Sequence, residues 1–532
     1  MNSETILKRK EIIRRFIERR ILVTKDFLDF LSSAPETEKK LQELLNAVGK
    51  DKKNPLVLSA DAQQLLEQET LPSLNWEEFE GARAAWEKGK NLQIYQHFLS
   101  FIHAQENEKA AFSSSPVKIL FSYDKPSKKR EIQDFVLYFN ARYSALEKML
   151  RGRIELRNIL SISRIIKKRE RENVSLIGMV KEKETTKNNN IVLTLEDPSG
   201  SIKVLVNKNK PDMYKPAKDI VLDEVIGVNG VNGSNIVFAN NILWPDVPLN
   251  ERKKSKDEAY ALFLSDLHVG SNNFLMDDFK KFIKWIQGDF GNEQQKNIAK
   301  KVKYIFIAGD LVDGCGIYPG QEPELQIPDI YEQYKACSEL LRQIPPHIPL
   351  IICPGNHDAM RIAEPQPPLY KDFAGSIYEL PNAYMVSNPA LVNIHSSASF
   401  PGFDVLMYHG YSFDYFVSNV DGIRNGGGYD RADLIMKFLL QRRHLAPTHT
   451  SSLYLPETEN DPMVIEKVPD FFISGHIHKT SVSNYRHITL ISGSCWQSKT
   501  KFQEKVGHHP EPGRVPVVNL KTREVKILRF GK

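Results

Sequence analysis

The sequence is poor in cysteine, has no long apolar run and carries no phosphate-loop signature. Its four cysteines, Cys315, Cys337, Cys353 and Cys495, form no Cys-x-x-Cys pair, which argues against a disulfide framework and predicts an intracellular chain with reduced thiols. No stretch approaches the roughly 18 consecutive apolar residues that span a bilayer. The charges spread through Lys8–Arg20 are followed by no continuous apolar segment, so neither a membrane helix nor a secretory signal is expected. The glycines gathered in Gly422–Tyr429 lack a Gly-Lys-Ser/Thr ending, which excludes a phosphate loop. Charge is nearly balanced: net +6, with 26% charged residues, is compatible with nucleic acid without being diagnostic of it.

What is present is enough apolar material, 41% of 532 residues, for about three domains at roughly 100–200 residues each. Residues 1–105 read as a helical N-terminal region, with Ile6, Ile13, Phe16, Ile17 and Ile21 recurring at helical spacing between Lys and Arg. The Lys8–Arg20 face is read as a solvated face of an amphipathic helix in preference to a phosphate-binding one. Residues 106–160 read as a linker followed by a helical connector. From Asn173 the period changes. Five β-rich runs, Val174–Val180, Ile191–Glu196, Ile202–Val206, Val225–Val231 and Ile236–Ile242, surround an Asp197-Pro198-Ser199-Gly200 turn. Five short strands predict a Greek-key barrel of the oligonucleotide-binding (OB) kind over 161–250. Its aromatics are few, Phe238, Trp244 and Tyr214, which favours docking between subunits over autonomous single-strand binding.

The second half carries five chemical motifs: Ser265-Asp266-Leu267-His268, Gly309-Asp310-Leu311-Val312-Asp313, Gly355-Asn356-His357-Asp358, Tyr408-His409-Gly410 and Ser474-Gly475-His476-Ile477-His478. Four follow apolar runs, Tyr260–Leu264, Val302–Ala308, Leu350–Cys353 and Phe471–Ser474, which read as buried strands opening into loops at their carboxyl ends. That edge is where α/β folds bind ligands. Asp266 and His268, at i and i+2, share one face of an extended segment, as do His476 and His478. Asp310 can bridge two ions, Asn356 supplies an amide oxygen and His409 a further imidazole. Seven such ligands suit two cations about 3.5–4 Å apart. Imidazole mixed with two carboxylates suits Mn, Fe or Zn and is a poor match for Ca, which prefers oxygen throughout, and for Mg. His357 is placed to act as a general acid, and Asp313 to hold the His357 imidazole in its tautomer. Asp358 is read as a turn-shaping residue. Cys315 is read as structural, because the ligand set is complete without it.

These motifs resemble the calcineurin-like metallophosphoesterase superfamily and, within it, the small subunits of archaeal DNA polymerase D. The resemblance extends to Glu364-Pro365-Gln366-Pro367, Arg442–Pro447, Ser492–Ser498 and Pro510-Glu511-Pro512-Gly513, and covers roughly 255–532 with the barrel upstream. It implies a multidomain chain whose phosphoesterase domain, 255–532, is a β-sandwich flanked by helices. It implies a two-metal 3′–5′ exonuclease, with Mn as the expected ion, that proofreads for a large polymerase subunit in a cytoplasmic, nucleoid-associated complex. One ion would take Asp266, His268, Asp310 and His478; the other would take Asp310, Asn356, His409 and His476; His357 would be catalytic. No polymerase carboxylate motif is identifiable, so synthesis is expected in the partner, and DNA 3′ ends, single-stranded or mismatched, are the expected substrate. Two other readings stand beside it: a phosphatase or cyclic-nucleotide phosphodiesterase, which the metal motifs alone do not exclude, and a non-enzymatic scaffold, against which the intact ligands speak. Gly422–Tyr429 is either a flexible loop that admits a DNA end or a plain surface turn.

Overall fold

A computed structural model describes residues 117–126, 128–505 and 508–531, with short pieces at 12–16, 21–23, 28 and 56–58. The chain divides into two units, 1–113 and 114–532. In the first, residues 12–16 are helical, while β1 (Ile21–Val23) and β2 (Leu56–Leu58) pair in parallel. The expected all-helical N-terminus is thus corrected at these two segments, where β-branched and leucine triplets found a partner that helical spacing does not reveal. The remaining N-terminal expectations lie outside the described residues.

The second unit begins with a further correction. The expected linker contains a strand, β3 (Val117–Ser122), which pairs antiparallel with a strand near residue 390. Its sequence, Val-Lys-Ile-Leu-Phe-Ser, has no clean alternation, and only that distant partner makes it a strand. Helix α1 (Ile132–Arg151) follows, opened by a capping box between Glu131 and Asp134.

The barrel consists of β4 (Asn173–Thr185), β5 (Ile191–Asp197), β6 (Gly200–Val206), β7 (Val225–Gly233) and β8 (Ile236–Leu243), closed in the order β4-β5-β6-β8-β7. Alternate residues point inward: Leu193 and Leu195 of β5 and Val204 and Val206 of β6 are fully buried. Pro198-Ser199 turns the hairpin, and Asp197 Oδ1 accepts from the Ser199 amide at 2.7 Å.

The rest is a pair of six-stranded sheets. The first is ordered β12-β11-β10-β9-β18-β19, with β9 (Tyr260–Leu264), β10 (Val302–Ala308), β11 (Leu350–Cys353) and β12 (Ala383–Met385) parallel to one another. The second is ordered β16-β17-β15-β14-β13-β3, with β13 (Ala390–Ile394), β14 (Phe403–Met407), β15 (Phe471–Ser474), β16 (Ser481–Tyr485) and β17 (Ile488–Ser492). The last two strands of the first sheet are β18 (Arg514–Asn519) and β19 (Val525–Arg529). Strands buried on both faces read as continuous apolar runs, and the period of two divides them. Ala261 and Phe263 of β9 face the core between the sheets, against Phe471 and Val405. Leu262 and Leu264 face the outer core beneath helices Met276–Gln287 and Ile330–Leu341. Helix Ala432–Arg442 covers the second sheet. The result is a helix–sheet–sheet–helix stack. Strands β9, β10 and β11 of one sheet and β14 and β15 of the other end beside a common cleft. Among the described residues, no helix is long and apolar enough to cross a membrane.

Candidate metal centre

Each motif begins where a buried strand stops. Asp266 and His268 follow β9; Asp310 and Asp313 follow β10; Asn356 and His357 follow β11; His409 follows β14; His476 and His478 follow β15. The fourth motif thus also follows a strand, one that sequence reading had not marked. Asp266, His268, Asp310, His476 and His478 all adopt positive φ, between 52° and 70°. Such backbone costs roughly 1–3 kcal/mol per residue and persists where surrounding structure enforces it, often at functional sites. The enforcement is visible. The Asp266 amide donates to the Gly309 carbonyl at 3.0 Å and the His268 amide to the Asp310 carbonyl at 3.1 Å. Gly309 and Gly355 let the loops close: a Cβ on Gly309 would strike His409, and one on Gly355 would overlap Asp310.

The side chains converge. His268 Nε2 and His478 Nε2 are 3.0 Å apart, and Asp266 Oδ1 is 3.4 Å from His478 Nε2. Asp310 Oδ2 lies 3.8 Å from His268 Nε2 and 3.4 Å from His409 Nε2. Asn356 Oδ1 is 2.9 Å from both His409 Nε2 and His476 Nδ1. Three groups with metal-ligating geometry, Asp266/His268/His478, His268/Asp310/His357 and Asp266/Asp310/His409, overlap in this cleft.

Hydrogen bonds on the far side of three of the rings fix their tautomers. His409 Nδ1–H donates to the Ala308 carbonyl at 2.8 Å. His268 Nδ1–H donates to Asp313 Oδ1 at 3.1 Å, and His476 Nε2–H to Asp414 Oδ2 at 3.0 Å. With these rings neutral, as metal ligands must be, the nitrogen facing the cleft would be bare, and lone pairs would confront one another and the carboxylates. Acceptors facing acceptors in a buried cleft call for cations, and this donor set fits two of them. Burial alone would lower His409, yet Asp310 and Asp266 push it up to about 10, a measure of the demand for positive charge at that point. Burial alone would raise Asp310, but His409, His357 and His268 hold it well below the usual carboxylate range.

His357 lies at the edge of this cluster, its ring edge-on to His268 with centroids 4.6 Å apart. Burial lowers its pKa. Its expected partner is corrected. His357 Nδ1–H donates to the backbone carbonyl of Asp313 at 2.8 Å, while the Asp313 carboxylate serves His268 instead. The loop after β10 turns that carboxylate back toward β9, a direction that spacing along the sequence does not specify. Gln321 and Gln497 fix Asp313 by donating to Oδ2 at 3.2 Å and to Oδ1 at 2.8 Å.

Asp358 does more than shape a turn. Its Oδ2 accepts from the amides of Asp310 at 3.0 Å and Gly355 at 2.8 Å, and its Oδ1 accepts from the Tyr334 hydroxyl at 3.1 Å. It ties two ligand loops together, and burial with the nearby Asp310 charge pushes it up to about 7. Gln503 contacts His478 Nδ1 at 2.9 Å. Gln497 lay within a stretch the resemblance had singled out, whereas Asp414 and Gln503 carried no sequence signal. Cys315 is exposed and donates to the Pro328 carbonyl. A cavity of about 360 Å³ opens over the cluster, walled by Tyr318, Tyr411 and Tyr429 as well as the histidines. Tyr429 brings the Gly422–Tyr429 segment to the site. That segment is partly helical, and its Gly422 amide donates to Asp219 of the barrel at 2.9 Å.

Comparison with known proteins gives two family matches and a set of similar chains. Residues 174–233 match the OB-fold nucleic acid binding domain family, and residues 261–483 match the family of DNA polymerase alpha/epsilon B subunits. Three archaeal proteins, each named DNA polymerase II small subunit, are similar over most of the chain. The one from Methanothermobacter thermautotrophicus is 42% identical, over 75% of this chain and 80% of its own. That from Archaeoglobus fulgidus is 38% identical, over 77% and 79%. That from Pyrococcus furiosus is 36% identical, over 86% and 74%.

Proposed function

The chain belongs to the archaeal DNA polymerase II (family D) small-subunit family, and from that premise we propose that it is a two-metal 3′–5′ exonuclease acting on DNA 3′ ends. A small subunit implies a large catalytic partner, for which this activity would proofread. The observation that carries the reading is the complete ligand set. Asp266, His268, Asp310, Asn356, His409, His476 and His478 all reach one cleft, with His357 beside them. A scaffold would have no use for this much buried acid and imidazole on strained backbone.

Asp266, His268, Asp310 and His478 would hold one ion, and Asp310, Asn356, His409 and His476 the other. The donor set favours Mn, with Fe, Zn or Mg as alternatives. Bound there, the pair would lower the pKa of a water and neutralise charge on the phosphoryl oxygens. The protein's own residues do the rest. His357, with Nδ1–H committed to the Asp313 carbonyl, has Nε2 left to carry the proton for the departing 3′ oxygen. The carbonyl stabilises the protonated ring, and burial makes that ring a stronger acid. Asp313 orients His268, and Asp358 holds the Asp310 and Asn356 loops at fixed separation. The tyrosines offer faces for bases near the cleft.

The test is degradation of a 5′-labelled oligonucleotide with Mn, comparing wild type with His357→Ala and Asp310→Ala. A ladder shortening from the 3′ end in wild type and in neither variant is expected. No ladder from wild type, alone or with the large subunit, would overturn the reading. Rapid turnover of small phosphoesters in its place would favour the phosphodiesterase alternative.

A further inference from the structure

Asn356 and His409, two ligands assigned to the same ion, come from different sheets, Asn356 after β11 and His409 after β14. Something must set the distance between their loops. The Glu364-Pro365-Gln366-Pro367 segment has so far been given no task. Its prolines carry no N–H, so only Glu364 and Gln366 can donate from the backbone. Glu364 donates to Leu453 and Gln366 to Asn388, each at 2.8 Å, and Asn388 returns a bond to Gln366 at 2.9 Å. Glu364, Gln366 and Asn388 are all buried, so each polar atom needs a partner.

Those partners form a continuous rail. Gln366 Nε2 donates to the Gly355 carbonyl at 3.1 Å and the Arg361 carbonyl at 2.9 Å. Because both are acceptors, the Gln366 amide has one orientation, and its Oε1 accepts from Asn388 Nδ2 at 2.8 Å. Asn388 Oδ1 is then left to accept from the His409 amide at 2.8 Å. The rail therefore runs from the residue before Asn356 to the backbone of His409. Glu364 braces it: Oε1 accepts from Asn388 Nδ2 at 3.3 Å, and Oε2 accepts from the Tyr408 hydroxyl at 3.1 Å.

We infer that Gln366 and Asn388 are positioning residues that hold Asn356 and His409 at the spacing one cation requires, so that they set the affinity of the ion assigned to those ligands and leave the other largely alone. This rests on the two-ion reading above. The other ion's ligand His268 is oriented by a separate group, Asp313 with Gln321 and Gln497. Loss of an orienting partner of this kind weakens metal binding about 10–100-fold.

The test is Mn titration of metal-stripped full-length protein followed by electron paramagnetic resonance, with melting temperature recorded for each variant. Wild type is expected to give the signal of an exchange-coupled ion pair. Asn388→Ala and Gln366→Leu are expected to bind one ion normally and show an isolated-ion signal until Mn is raised about 10–100-fold. They cut the rail at different points, so one remains informative if the other does not fold. Asn382→Ala removes a buried amide that instead donates to the Ile348 carbonyl, and should keep the coupled signal. Variants that pair their ions at the wild-type Mn concentration would overturn the inference, as would equal loss of pairing in Asn382→Ala. A wild type that takes up no Mn would overturn the two-ion reading itself.

Discussion

The barrel of β4–β8 and the two-sheet stack bury similar apolar strands but differ in what else they bury. Within residues 173–243 the buried polar side chains are Glu224 and Asn232. The stack buries Asp266, His268, Asp310, Asp313, Asp358, Glu364 and His409 around one cleft. Backbone strain divides the same way. Positive φ in the barrel falls on Asn189, Asp223 and Asn235, residue types that tolerate it. In the stack it falls on His268, His476 and His478 as well. The barrel follows generic rules of burial and turn chemistry. The stack breaks those rules at the five strand ends where the chemistry is proposed to occur, and the apolar layers on either side hold the exceptions in place.

Substitutions can separate these two kinds of burial. The largest expected effect is from Asp310→Asn. Asn tolerates the φ of 52°, so the backbone stays, while the shared carboxylate charge is lost. Excision should fall by at least about a thousandfold, while metal-stripped protein should lose some stability at neutral pH, because the histidines that favour the ionised Asp310 lose their partner. Excision retained alongside that loss would show that Asp310 is structural. In the barrel the pattern should invert. Leu193→Ala leaves a cavity among fully buried aliphatic residues and should cost about 2–5 kcal/mol in urea unfolding, with the excision rate unchanged where the protein remains folded.

Glu364 offers a pH-dependent contrast. Burial raises it from 4.5 to about 7, so between those values the folded protein binds a proton that the unfolded chain has released. Stability from this group is therefore greatest at low pH and falls as pH rises toward 7, by roughly 2–3 kcal/mol. Glu364→Gln should flatten that dependence in metal-stripped protein; an unchanged profile would assign it to other groups. The smallest effect is expected where the two regions meet. Asp219→Ala removes the acceptor for the Gly422 amide and should cost about 0.5–1.5 kcal/mol, measured by denaturant unfolding.

Much of this architecture was legible from local pattern. The strands β9, β10, β11 and β15 coincide with apolar runs that end in Gly, Asp or Pro, because parallel strands buried on both faces need apolar residues at every position. The five barrel strands were legible because a half-exposed wall alternates and because Asp-Pro-Ser-Gly turns. The residues of the five motifs were legible because Asp, His and Asn at strand ends have little use in packing. What escaped were features that exist only between distant segments. Strand β3 is a strand because Ile394 and Ala390 lie opposite Val117 and Ser122. Asp414, Gln503 and Asn388 matter because folding brings them behind His476, His478 and His409.

The amino-acid sequence by itself determined the strands β9, β10, β11 and β15, the barrel and the identity of the candidate ligands, since all three follow from side-chain polarity and spacing within a few residues. The tertiary structure alone decided which nitrogen of each histidine faces the cleft, that Asp313 serves His268 through its carboxylate and His357 through its carbonyl, and that Gln366 and Asn388 join two sheets. Hydrogen-bond direction depends on which acceptor lies within about 3 Å, and for partners up to hundreds of residues apart only the packed fold sets that distance.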